Sequence, residues 1–285
     1  MFNFNKIKGF LNLVRPELPF SAGVCVILGE IIALGSLPSF SIMFLGFIYG
    51  FFLSGSAMIL NDIFDIEVDR VNSPERPLPS GMISSKEAII FASVITGLGL
   101  LSALLVGSLA VILYIVFWLV GFLYNWKFKE KGFFGNLFVS ISVGFTNVFG
   151  GIVVDNPWSS SVLIFGLMIF LFDLSEEIAA DTMDVEGDKK RNIKSIPILI
   201  GRKKSMYISS SLLFLEVLVS YLPLIFDFFG TSYLILISVT NMIILFLGIK
   251  LLKSQSIKKG RFYVRLLYLM ALPGMFFSII SNLIF

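Results

Sequence analysis

Three aspartates, Asp62, Asp65 and Asp69, stand at i, i+3 and i+7 in the stretch NDIFDIEVD, Asn61 to Asp69. A second stretch, DTMDVEGD, repeats that spacing with Asp181, Asp184 and Asp188, and Glu177 extends the set by one turn. On a helix each set lines one face. Carboxylates this close repel one another, and burial at a membrane surface raises the cost. Each ladder therefore calls for a cation. The chain has no histidine and a single cysteine, Cys25. That excludes a histidine general base, a cysteine zinc site and an intramolecular disulfide. Oxygen ligands alone select a hard divalent ion, Mg²⁺ or Mn²⁺, over zinc.

Basic residues accompany both ladders. Arg70 and Arg76 follow the first; Lys189, Lys190, Arg191 and Lys194 follow the second; Lys127 and Lys129 lie between them. Magnesium shares its shell with phosphate oxygens and keeps few protein ligands. Six aspartates outweigh the charge of two Mg²⁺ ions, so a bound diphosphate still needs these cations. The substrate this predicts is a phosphate or diphosphate with an apolar tail, entering from lipid. The plain alternative is an acidic run capping a solvated helix end, and the repeat of one spacing on one side of the membrane argues against it. Glu216 lies mid-span and is open to either a functional or a structural reading. Pro77, Pro79 and Gly81 most simply shape a loop.

The elements that must position these residues are membrane helices. Of 285 residues, 56% are hydrophobic and 14% charged, with mean hydropathy +0.92; a soluble domain carries about 25% charged residues. Nine apolar segments are read at about 19–36, 40–60, 87–107, 109–126, 133–153, 160–178, 205–226, 231–250 and 263–284. Their continuous apolar runs mean helices rather than barrel strands, and the fourth is expected to break near Tyr124. With the N-terminus in the cytosol, every Lys and Arg falls at or near the inner side, and the outer connections hold Pro38, Asp155 and Asp227. That is a positive-inside pattern. It places Phe285 outside and both ladders at the inner ends of their spans. The first twenty residues read as a short basic cytosolic head rather than a signal or transit peptide. The expectation is an all-α, multi-pass protein of the cell membrane. About nine transmembrane helices form a single domain, 1–285, and the site opens to the cytosol. No nucleic acid or protein partner is predicted.

NDIFDIEVDRVNSPERPLPSG closely resembles the first signature of the UbiA superfamily of intramembrane prenyltransferases. DTMDVEGDKKRNIKSIPILIG is similar to its second aspartate-rich motif, and LYNWKFKEKGFFGN, Leu123 to Asn136, to the Tyr/Lys loop between them. The resemblance covers most of the chain in order. It implies a helical bundle with a central cavity under a cytosolic cap, and transfer of a prenyl group from an isoprenyl diphosphate. Asn61, Asp62, Asp65 and Asp69 would then hold one Mg²⁺ and the diphosphate. Asp181, Asp184 and Asp188 would hold the second ion. Arg76, Lys127 and Lys194 would neutralise diphosphate oxygens, with the choice between Lys127 and Lys129 open. Tyr124 would sit near the reacting carbon, and Asp65, Asp184, Tyr124 and Lys127 would form the catalytic set. Metal and basic residues would stabilise the leaving anion, and aromatic faces the allylic cation. The proton acceptor is open between a motif aspartate and the departing diphosphate.

The form Asp184-Val185-Glu186-Gly187-Asp188 resembles the branch containing the archaeal digeranylgeranylglyceryl phosphate synthases. This implies geranylgeranyl diphosphate as donor and geranylgeranylglyceryl phosphate as the lipid-soluble acceptor. Where that branch commonly reads Arg-Glu-Ile-x-Lys-Asp, this chain reads Glu176-Glu177-Ile178-Ala179-Ala180-Asp181, so two cations that could serve an acceptor phosphate are missing. A quinone- or phenazine-type aromatic acceptor is the second reading. An ion-coupled transporter is the third, but it would carry its charges near the bilayer midplane, not at one face.

Overall fold

The computed structural model describes residues 4–190, 193–254 and 256–284. Among these residues there are helices and no strands. A short helix α1 (Phe4–Val14) leads into α2 (Glu17–Leu34) and α3 (Phe40–Phe64). A short α4 (Ile66–Asn72) carries the chain to α5 (Ser85–Val106) and α6 (Ser108–Leu123). Next come α7 (Phe133–Gly144), α8 (Thr146–Val153) and the long α9 (Ser160–Lys190). The rest comprises α10 (Ile196–Ile200), α11 (Arg202–Val219), α12 (Leu222–Ile225), α13 (Thr231–Leu252) and α14 (Ile257–Ile284).

All nine apolar segments are helical, and three are interrupted. The fifth bends at Phe145 between α7 and α8, and the seventh breaks before Pro223 into α11 and α12. The fourth does not stop at Tyr124; it widens there into a π-helical turn, Tyr124–Phe128. Among the described residues eight spans are long and apolar enough to cross a membrane. The ninth, α9, is 31 residues long and carries Asp173, Glu176 and Glu177 within its spanning stretch.

Lipid is a poor discriminator between helices, so close backbone approach does much of the packing. On α5 the buried face is Ala88, Ala92, Gly99, Ser102 and Ala103, and the opposite face exposes Ile90, Val94, Leu98, Leu101 and Leu105. Ser84 and Glu87 form a capping box that fixes where this helix begins. The contact between α2 and α8 is tighter still. A Cβ on Gly29 would stand 2.2 Å from the Asn147 carbonyl oxygen, and one on Gly150 would stand 2.1 Å from that of Val26. Around this contact Tyr49, Tyr114, Phe149, Phe165 and Tyr233 make an aromatic core. Tyr49 packs edge-on to Phe149 with centroids 5.2 Å apart and donates to the Ala110 carbonyl at 3.1 Å. This core holds the helices that wall a central cavity.

Side-chain and loop contacts gather the basic connections at one end of the bundle. Lys6 pairs with Glu87, Lys129 with Asp65, Arg261 with Asp184, and Arg202 donates to the Ser254 carbonyl at 3.3 Å. At the other end Asn156 donates to the Ala33 carbonyl at 2.9 Å, and the Gly230 N–H to Asn282 at 2.6 Å.

Candidate active site

The first ladder straddles a break. Asp62 lies in the last turn of α3, Asp65 is the junction, and Asp69 lies on α4. The break brings three cations onto three carboxylates. Arg15 and Arg76 both reach Asp62, the latter at 3.7 Å; Arg76 also donates to Asp69 at 2.7 Å; Lys129 pairs with Asp65. Asp62 and Asp69 are buried. Partial burial works against the Arg76 charge. The Asp69 hydrogen bond and the charges of Asp69, Asp62 and Asp65 outweigh it, so the pKa of Arg76 is raised. Asn61 lies 3.0 Å from the amide of Asn125. With its nitrogen turned to Asp65 it is 3.2 Å from that carboxylate, and its oxygen accepts from Lys129 at 3.1 Å.

The second ladder lies on one unbroken helix, since α9 continues past residue 178 to Lys190. Asp181 accepts from Asn136 at 2.8 Å and Asp184 from Arg261 at 2.6 Å. Asp184 and Arg261 are mostly exposed. Asp188 is half-buried one turn further on.

The π-helical turn explains which member of the Tyr/Lys loop meets the ladders. An extra residue in one turn rotates the residues beyond it, and such turns recur at functional sites. Here it turns Tyr124 and Asn125 into the cavity. Lys127 is left exposed, without an ion pair among the described residues, and Lys129 is brought to Asp65. Tyr124 lies within electrostatic reach of carboxylates from both ladders: Glu177, Asp65, Asp181 and Asp188. Gly132 closes this loop at φ +58°, and a Cβ there would stand 2.0 Å from the Lys194 carbonyl oxygen. The backbone of Lys194 is thereby held beside the Tyr/Lys loop, while its side chain is exposed. Arg70 turns away to Glu67 at 2.8 Å. The Lys190 side chain and Arg191 lie outside the described residues.

Arg15 is a site residue that sequence spacing leaves in a basic head. It stands between α1 and α2 at φ +49°, a region costly for a non-glycine residue. No local spacing signals it, because Asp62 is 47 residues away. Asn125, Asn136 and Arg261 are likewise invisible to spacing.

Between the ladders and the aromatic core lies a cavity of about 880 Å³, toward the upper end of small-molecule pockets, about 300–1,000 Å³. Asn61, Tyr124, Glu177 and Asp184 line its polar end; Phe117, Trp118, Phe149, Phe172, Ile237 and Met275 line the apolar remainder. Glu216 is buried and also lines it.

The donor set suits a hard divalent ion. It is all oxygen, and Asp181, Asp184 and Asp188 lie near enough to repel one another. No three Asp or Glu carboxylates converge on one point among the described residues. The ladders thus fit an ion held by one or two carboxylates and completed by phosphate oxygens, as magnesium prefers. They do not fit an all-protein cage.

Comparison with known proteins bears on this geometry. The digeranylgeranylglyceryl phosphate synthase of Thermococcus kodakarensis is 34% identical over 250 residues, 88% of this chain and 89% of its own length. A solved structure of a digeranylgeranylglyceryl phosphate synthase superposes with a TM-score of 0.80 at 33% identity, covering 98% of this chain and 99% of the other. A UbiA homologue from Archaeoglobus fulgidus, solved with GPP and Mg²⁺ bound, shares the fold at a TM-score of 0.69 and 17% identity, over 96% of this chain and 99% of its own. The model of the UbiA prenyltransferase family matches residues 22–279. That match takes in both ladders, the π-helical turn and the helices around the cavity, and on that coverage the chain belongs to the UbiA prenyltransferase family.

Proposed function

We propose that this intramembrane prenyltransferase transfers geranylgeranyl from its diphosphate to geranylgeranylglyceryl phosphate, forming an ether bond. The observation that carries the reading is a mostly apolar cavity of about 880 Å³ with a polar end beside the two carboxylate ladders. It suits a prenyl chain whose diphosphate stops at the ladders. The acceptor is inferred from relatives of that name at about one-third identity over most of the chain.

Asp62, Asp65 and Asp69 serve one Mg²⁺ and the donor diphosphate; Asp181, Asp184 and Asp188 serve a second ion, with Mn²⁺ able to substitute. When bound, these ions supply charge neutralisation for a leaving diphosphate. The chain's own cations do the rest. Arg76 and Lys129 are preorganised beside the first ladder, where negative charge grows as the allylic C–O bond breaks. Lys129 takes the diphosphate role between the two loop lysines, since it is paired at the first ladder while Lys127 is exposed and makes no ion pair among the described residues. Asn61 orients Lys129 against Asp65. Lys194, whose backbone is held beside the Tyr/Lys loop at Gly132, extends its ammonium onto the diphosphate. Tyr124, with the aromatic lining, stabilises the allylic cation without adding to it. The apolar walls exclude water, which would quench that cation. Attack by the acceptor hydroxyl oxygen on the allylic carbon forms the ether, with diphosphate and a proton as co-products.

The charge pattern supports one orientation: the basic end, with the ladders and the cavity's polar end, faces the cytosol, and the last span ends outside. The chain acts as one membrane domain. The test of function is purified protein with labelled geranylgeranyl diphosphate, Mg²⁺ and a panel of acceptors. Transfer to the phosphorylated glycerol ether is expected. Transfer only to a quinone or phenazine precursor would replace this reading with the aromatic one.

A further inference from the structure

We infer that Arg261 and Arg265 of α14 form the binding site for the acceptor's phosphate. The inference rests on the proposed phosphorylated acceptor and locates where that group is held.

Three observations lead there. First, Arg261 and Arg265 are the only cations lining the cavity among the described residues; Glu17, Asp173, Glu176, Glu177, Asp184 and Glu216 are its other charged lining groups. The cations at the first ladder are already committed to Asp62, Asp65 and Asp69. A second anion entering this cavity therefore meets positive charge at α14.

Second, α14 presents an amphiphile's pattern along one face. Arg261, Arg265, Tyr268, Leu272 and Met275 stand at i, i+4, i+7, i+11 and i+14, and all line the cavity. Two guanidiniums begin the stripe and apolar side chains continue it. A ligand with an anionic head and an apolar chain matches that order. Guanidinium forks bind phosphate oxygens in pairs, and residues four apart on a helix are near enough to share one phosphate.

Third, α9 leaves room for them. Ala180 carries no side chain beyond Cβ and lines the cavity. The start of α14 lies hard against α9 at this level: a Cβ on Gly260 would stand 2.5 Å from the sulfur of Met183. From there Arg261 reaches Asp184 at 2.6 Å. The cations that α9 lacks are thus supplied across the contact by α14, on the second-ladder side of the cavity. Arg261 is mostly exposed in this pair, so exchanging Asp184 for a phosphate costs it little burial.

The experiment is steady-state kinetics of Arg265→Gln and Arg261→Gln in neutral-lipid nanodiscs, varying donor and acceptor separately. The acceptors are geranylgeranylglyceryl phosphate and its dephosphorylated alcohol. The expected result is a rise in KM for the phosphorylated acceptor of about tenfold or more, from loss of a charge-assisted hydrogen bond. For Arg265→Gln, which makes no ion pair with either ladder among the described residues, the KM for geranylgeranyl diphosphate should stay within about twofold and use of the alcohol should be unaffected, so the preference for phosphate falls. Arg265→Lys should recover part of the loss. Thermal unfolding in detergent checks folding, and if Arg261→Gln does not fold, the Arg265 variants carry the test. An equal rise in donor KM would reassign the pair to the donor diphosphate and overturn the inference. Unchanged kinetics would make these ordinary basic residues at a helix end, with the same consequence. A parental enzyme that never prenylates the phosphorylated acceptor would show instead that the acceptor reading itself had failed, and this site with it.

Discussion

The two ladders share a spacing and differ in almost everything else. The first is cut by a helix break at Asp65, buried at Asp62 and Asp69, and clamped by Arg15, Arg76 and Lys129. The second runs along one continuous helix and is partly open, with a mostly exposed ion pair at Asp184 and an amide at Asp181. Equal spacing therefore does not mean equal electrostatics. A buried carboxylate that loses its charge strands its partners, whereas an exposed pair contributes little to stability. In the proposed reading the first ladder is a rigid clamp for the donor, and the second stays accessible for the ion and anion that complete the site.

The sharpest way to break this comparison is to neutralise one carboxylate in each ladder. Asp62→Asn and Asp184→Asn should each lower single-turnover transfer by about 10²-fold, the scale of a lost transition-state stabiliser. Only Asp62→Asn should also lower the unfolding temperature, because Arg15 and Arg76 lose their shared partner. Equal destabilisation by both would erase the distinction.

Within the Tyr/Lys loop the contrast is between Lys129 and Lys127. Lys129→Gln should reduce kcat by about tenfold or more, as expected for one charge-assisted contact to the leaving group. Lys127→Gln should stay near the parental rate. A reversed order would mean that the π-helical turn rearranges when substrate binds.

Tyr124 separates a ring from a hydroxyl. Tyr124→Leu should cost about tenfold in kcat, within the range of a desolvated cation–π contact. Tyr124→Phe, which keeps the face, should cost much less. If both lose activity alike, the hydroxyl is the working group. The smallest catalytic effect is expected at Arg15, where Arg15→Gln should mainly destabilise, by about 2 kcal/mol, readable as lower thermal stability in detergent. A large loss of turnover at unchanged stability would place Arg15 on the diphosphate instead.

Much of the candidate site's geometry is legible in the sequence, because its carboxylates repeat at helical spacing and its walls are apolar runs of membrane length. The choice between Lys127 and Lys129 is not. It depends on a π-helical turn, and one extra residue in a turn leaves no mark in hydropathy. Arg15 is hidden because its partner is far away in sequence, and Arg261 because it sits among ordinary basic residues beside Lys258 and Lys259. The interruptions at Asp65, Phe145 and before Pro223 are also unread, since packing against neighbouring helices decides whether an apolar run stays straight.

The central claim is that carboxylate-bound divalent ions and the adjoining cations together release the diphosphate. The direct measurement is single-turnover transfer of labelled geranylgeranyl to the phosphorylated glycerol ether by purified protein. It is made before chelation, after complete removal of divalent ions, and after their return. The account predicts that transfer disappears on removal and is restored by Mg²⁺ or Mn²⁺; transfer that persists in the fully chelated protein would contradict it.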